Sequence, residues 1–126
     1  MKTSKGLLLL LAVLTASLFV GCTQEGLDGS GTINGIAAHH SAPIAGTTVY
    51  IKFGAKELPG TNPSDFDASV TANGFGEFQF DDVQKGNYYI YGIGYDSTIS
   101  QVVSGGRSVK LAKGGTVTVE LAVTEQ

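Results

Sequence analysis

Residues 71–80 read Thr-Ala-Asn-Gly-Phe-Gly-Glu-Phe-Gln-Phe, and residues 86–95 read Gly-Asn-Tyr-Tyr-Ile-Tyr-Gly-Ile-Gly-Tyr. In both, bulky side chains recur at every second position, which is the period of an extended strand with one face buried. Phe78 and Phe80 alternate with Glu77 and Gln79, and Tyr88 and Ile90 alternate with Tyr89 and Tyr91. Asn73 and Gly74 stand between Val70 and Phe78 and form the strongest hairpin signal in the chain, because Asn-Gly accepts the positive φ of a tight turn. The stretch predicts strands near 67–72, 75–80 and 87–95.

The same reading extends to both sides. Val49, Ile51 and Phe53 alternate with Thr48, Tyr50 and Lys52; Val109 and Leu111 flank Lys110; Val117, Val119, Leu121 and Val123 alternate with Thr118, Glu120 and Ala122. Further strands are expected near 31–38, 47–53, 98–103, 107–112 and 116–123. Gly105-Gly106 and Gly114-Gly115 divide the last three and read as turns, so two hairpins are expected to close the chain. No window after the N-terminal segment has helical spacing. The 126 residues include 18 glycines and only 15% charged side chains, which suits short strands in one domain and excludes a coiled coil. The expected class is all-β, an antiparallel sandwich of seven or eight strands. With 8 Lys and Arg against 11 Asp and Glu there is no basic stripe for phosphates, and nucleic acid is excluded as a partner.

The N-terminus points to export. Lys2 and Lys5 precede an uncharged run of 14 residues from Leu7 to Val20, too short for a spanning helix of about 20 residues but right for a helical signal peptide. The run ends in Leu18-Phe19-Val20-Gly21-Cys22, which resembles a bacterial lipoprotein signal. The resemblance implies cleavage after Gly21 and a diacylglyceryl thioether on Cys22, with palmitate-type acylation of the new terminus and membrane lipid as its partner. No other cofactor is expected. A chain with a single cysteine has no intrachain disulfide partner, and a thioether removes that thiol. Two or three acyl chains anchor stably where one does not. Thr23 occupies the position where that family carries Asp for inner-membrane retention, which implies the outer membrane of a Gram-negative cell. Residues 1–21 are thus read as signal peptide, 22–30 as a flexible tether and 31–126 as the sandwich.

Thr71, Asn73, Gly74, Gly76, Glu77, Phe78, Phe80, Val83, Gly86, Tyr88, Ile90, Gly94 and Tyr95 follow one another in an order that resembles the carboxypeptidase regulatory-like or transthyretin-like (prealbumin-like) domain. Upstream, Gly31 to Gly35 and Ala42, Pro43, Ala45, Gly46 and Val49 fit that family's first strand and its turn into the second. The resemblance covers residues 31–123 and implies a Greek-key β-sandwich used as a generic module, with no particular activity. Gly86 and Tyr88 at the start of a strand also suit a tyrosine corner, in which the hydroxyl returns to upstream backbone. Hydroxyisourate hydrolase relatives end in a Tyr-Arg-Gly-Ser type tail, whereas this chain ends in Val123, Thr124, Glu125 and Gln126, so that activity is not expected. Isopeptide-forming relatives need a first-strand Lys and a last-strand Asn; strand 31–38 has no Lys and strand 116–123 has no Asn, so no internal crosslink is expected.

Candidate chemistry is sparse. Tyr89, Tyr91 and Ile93 point away from the interior by alternation, and an outward tyrosine row can stack on a carbohydrate or meet a partner protein. Cover from a neighbouring strand or the 54–66 loop is the competing account. His39 and His40 are adjacent, so on a strand they would face opposite ways; a solvent-exposed turn without metal is expected. Asp65 with Asp67, and Asp81 with Asp82, lack the ligand spacing of a calcium loop and read as solvated turns. No Gly-x-Ser-x-Gly elbow, Cys-x-x-Cys pair or phosphate loop is present, and no catalytic residue is assigned. The expectation is a lipid-anchored, non-catalytic structural or protein-interaction module, with a carbohydrate-binding accessory module using Tyr89 and Tyr91 as the alternative.

Overall fold

A computed structural model describes residues 24–126, so Cys22 and the expected signal peptide lie outside the described residues. The chain forms two antiparallel-rich sheets in a sandwich-like β fold. Nine strands follow in order: β1 (Leu27–His39), β2 (Ala42–Pro43), β3 (Thr48–Phe53), β4 (Ala68–Thr71), β5 (Glu77–Val83), β6 (Gly86–Asp96), β7 (Gln101–Leu111), β8 (Thr116–Ala122) and β9 (Thr124–Glu125). In the first sheet β1 is flanked by β5 and β8, and its last two residues pair with β2. The second sheet runs β4-β3-β6-β7-β9. Phe78, Phe80, Ile33, Val119 and Leu121 from the first sheet meet Val49, Ile51, Tyr88, Ile90, Val103 and Leu111 from the second, forming one buried cluster.

Three expectations are corrected. The first concerns Asn73-Gly74. It does not close a hairpin, since β4 pairs with β3 in one sheet while β5 pairs with β1 in the other. The turn is a crossing between sheets, held by the Asn73 side chain: Oδ1 accepts from Phe75 N at 2.9 Å and from Glu77 N at 3.0 Å, and Nδ2 donates to Glu77 Oε1 at 2.9 Å.

The second correction concerns Gly105-Gly106. It lies inside β7, which pairs continuously with β6 from Gln101 to Leu111, so the strands expected at 98–103 and 107–112 are mostly one. The glycine at 105 answers to space and not to a turn: a Cβ there would sit 2.1 Å from the Ala122 carbonyl oxygen, where the end of β8 crosses β7. Gly114 does turn the chain, with φ +66, but β8 then leaves for the first sheet and pairs parallel with β1, Thr32 opposite Thr116 through Ala38 opposite Ala122. Local turn chemistry carries no information on which sheet receives the next strand.

The third correction moves the domain boundary. β1 begins at Leu27, within the segment read as tether, and Leu27 pairs with Val83 ahead of a bulge that brings Gly31 to the same partner. Just before it, Gly26 N donates to the Tyr88 hydroxyl at 2.9 Å, and that hydroxyl donates to the Gln84 carbonyl at 2.6 Å. The Tyr88 corner therefore ties the entry of β1 to the β5–β6 connection.

The closest backbone approach is at Gly35. A Cβ there would lie 2.0 Å from the Val119 carbonyl oxygen, on the parallel β1–β8 ladder. Gly35→Ala should lower unfolding free energy by about 1–3 kcal/mol or more, because backbone must move to admit the methyl. Gly74→Ala, where nothing lies within 4 Å, should change it by less than about 0.5 kcal/mol. Urea unfolding of the two variants checks the contrast, and equal midpoints would contradict it.

Candidate functional site

His39 and Asp96, buried titratable side chains of the described residues, meet at one end of the sandwich, where β1, β6 and β9 finish. Asp96, the last residue of β6, opens a four-residue loop to Gln101. Its Oδ1 accepts from Thr98 N at 3.0 Å and from Thr98 Oγ1 at 2.6 Å, an arrangement by which Asp stabilises a turn through its own side chain. Its Oδ2 is 2.8 Å from His39 Nδ1, at the end of β1. On the other side of the imidazole, Nε2 lies 2.6 Å from Glu125 Oε2 on β9, although no acceptor is in line with the ring N–H direction for a hydrogen bond. His39 and Asp96 are both buried, and His40 and Glu125 are exposed.

This corrects the reading of the histidine pair. The strand stops at His39, and His40 adopts φ +48, which turns the chain so that the two rings lie 4.2 Å apart between centroids. Period-two alternation does not hold across a residue in the left-handed region. His39 is a buried member of a charged cluster and not part of an open turn.

The electrostatics follow from the contacts. The Asp96 side chain holds the His39 pKa above its ordinary 6.5, opposed by burial and assisted by Glu125. Asp96 is pushed down to about 2, first by the Thr98 hydroxyl and then by His39. Glu125 is lowered by its own backbone N–H and by His39. A buried ion pair persists where its remaining lone pairs are also satisfied, and Thr98 supplies that for Asp96.

Next to the cluster is a cleft of about 300 Å³ lined by Pro43, Ile44, Tyr95, Asp96, Ser97 and Thr98 among others. Tyr95 is 56% exposed at its rim. It is the last member of the outward row of β6, and the row behaves differently along its length. Tyr91 is only 6% exposed, because Phe66 from the 54–66 connection stacks on it with centroids 5.8 Å apart and planes at 4°. Phe66 also packs against Tyr50 at 5.4 Å, and Tyr89 is half-buried. Tyr89 and Tyr91 therefore do not form an open platform; the exposed ring of this row is Tyr95, which pairs with Val102 across the ladder.

Asp65 and Asp67 have structural work. Asp67 Oδ2 accepts from Phe53 N at 2.7 Å, and Asp65 Oδ2 accepts from Asn62 N at 3.0 Å at the start of the short 3₁₀ turn Pro63–Asp65. Sequence reasoning did not single out Asp96, Glu125 or Tyr95 as site residues. Asp96-Ser97-Thr98 carries a turn signal, but nothing local links Asp96 to a histidine 57 residues away.

No family model and no curated protein matches the chain. Among solved structures, a Pseudomonas aeruginosa protein reported as a candidate carbohydrate binding protein is similar in fold, with 17% identity and a TM-score of 0.55. The match covers 78% of this chain and 91% of that one.

The two ends of the pH scale should act on this cluster with opposite sign. A histidine whose folded pKa is raised stabilises fully below its unfolded value of about 6.5, and the contribution is lost as pH rises through the folded value. Asp96, lowered from 3.8 to about 2, stabilises above its unfolded value and loses that contribution as pH falls towards 2. Urea midpoints measured in chelator-containing buffer should therefore be highest between about pH 4 and 6.5 and decline on the alkaline side. In His39→Gln the alkaline decline should disappear.

Proposed function

We propose that this chain is a lipid-anchored outer-membrane lipoprotein whose sandwich is a non-catalytic binding module, and that its ligand is a saccharide taken at the Tyr95 cleft. The observation that carries this reading is the open Tyr95 ring at a cleft whose lining includes the polar side chains of Asp96, Ser97 and Thr98. Sugars present an apolar face ringed by hydroxyls, and sites for them combine an aromatic surface with a few convergent polar groups. The similar fold of the Pseudomonas aeruginosa protein supports the same direction.

The anchor and the cleft suit one another in space. Cys22 is four residues before Gly26, so the chain between them spans at most about 14 Å, and the entry of β1 would lie close to the lipid. β1 then runs 13 residues, roughly 40 Å at the usual rise, before reaching His39 at the opposite end. A module lipidated at Cys22 would hold its cleft well away from the headgroups.

A second reading, contact with another envelope protein, is favoured by the exposed apolar side chains Ile99 and Val102 beside Tyr95. The two separate on a glycan array probed with tag-free protein. The saccharide reading expects a wild-type signal that falls at least tenfold in Tyr95→Ala while the unfolding midpoint stays the same. Absence of signal in wild type, or a signal indifferent to Tyr95→Ala, would overturn it and leave the protein contact.

The anchor is tested separately by metabolic labelling with a fatty-acid probe. Label is expected in wild type and absent in Cys22→Ala. An unlabelled wild-type chain would remove the lipid from the account.

A further inference from the structure

We propose that His39, His40 and Glu125 form a binding site for a divalent transition-metal ion of the zinc type, a function separate from the saccharide reading and not dependent on it. One nitrogen of each imidazole and one oxygen of the carboxylate lie within 4.8 Å of one another. Zinc–ligand bonds of about 2 Å place tetrahedral donors roughly 3.3 Å apart, so donors up to 4.8 Å apart must close by as much as about 1.5 Å, while Nε2 and Glu125 Oε2, now 2.6 Å apart, must open by about 0.7 Å. His40 and Glu125 are the exposed members and can supply that movement by side-chain rotation, while the buried His39 stays in place.

The His39 ring is prepared for this role from behind. Its Nδ1 is held at 2.8 Å by Asp96 Oδ2, and Asp96 is itself fixed by two bonds from Thr98. That leaves Nε2, buried in a ring only 5% exposed, as the atom turned to Glu125, in contact with the carboxylate but without an aligned hydrogen bond. Nε2 lies 2.6 Å from Glu125 Oε2, the contact of a protonated ring with a carboxylate, and a bound cation would displace the Nε2 proton and take both atoms as ligands, with His40 beside them. A histidine ligand whose second nitrogen donates to a carboxylate is the usual support for a bound metal, setting both tautomer and ring direction.

Donor chemistry selects the class of ion. Two imidazoles and one carboxylate suit zinc, copper or nickel, whereas calcium and magnesium require sets made mainly of oxygen. Three protein ligands leave a coordination position on the solvent side, where His40 and Glu125 are exposed. The three ligands come from the end of β1, the turn that follows it and β9, so a bound ion would also pin the C-terminal strand to the sandwich.

The test is calorimetric titration of zinc chloride into the tag-free full chain in detergent after chelator treatment. One zinc per chain is expected, with magnesium and calcium giving no saturable heat. Glu125→Gln and His40→Asn should each weaken zinc binding at least tenfold; Asn removes the imidazole yet tolerates the positive φ at that position. Both should keep the wild-type circular dichroism spectrum and cooperative unfolding in chelator, which distinguishes loss of a ligand from loss of the fold. No saturable binding by wild type would overturn the proposal, as would zinc affinity unchanged in the two variants or matched by calcium.

Discussion

The backbone of β1 is hydrogen-bonded on both edges, to β5 antiparallel and to β8 parallel, and most of the molecule is arranged around that double pairing. It is possible because β1 presents almost no side chain where its neighbours come closest. At Gly31 a methyl would meet Leu111 Cδ2 at 2.6 Å, and at Gly35 it would meet the Val119 carbonyl. The start of the strand is fixed to the second sheet by the Tyr88 hydroxyl, and its end carries His39 to Asp96. A single extended segment thus sets both the spacing of the sheets and the position of the charged cluster.

Much of this was legible in residue order, and what was not has a common physical origin. Alternation in Val49–Phe53, Glu77–Phe80 and Val117–Val123 identifies strands because burial of one face imposes the period directly. Glycine is ambiguous, since it serves positive φ and close approach equally well. Gly114 illustrates the first and Gly105 the second, and only the partner across the gap distinguishes them. Pairing between β1 and β8 likewise depends on where the chain goes after a turn, which local composition does not encode.

The candidate site shows the same limit from another side. The outward direction of Tyr89 and Tyr91 follows from strand parity, but the exposure of Tyr91 depends on where Phe66 settles, more than twenty residues upstream. A buried imidazole between two carboxylates is equally invisible locally, since its partners lie in β6 and β9. Such a group is costly to desolvate unless every contact is made, so its presence is weak evidence for stability and better evidence that something at this end of the fold needs a polar interior. Asp96 belongs to both neighbourhoods, lining the Tyr95 cleft while it holds His39.

The side-by-side placement of β1 and β8 also bears on how the chain reaches its fold. Their partners are separated by 84 residues, so the first sheet cannot assemble by zipping outward from a local turn. High contact order of this kind slows the search, because a long loop must close before any of the ladder's hydrogen bonds form. Until that closure, one long edge of β1 stays bare and able to pair with another chain. Newly made molecules are therefore most vulnerable to aggregation in the interval before their final segment docks.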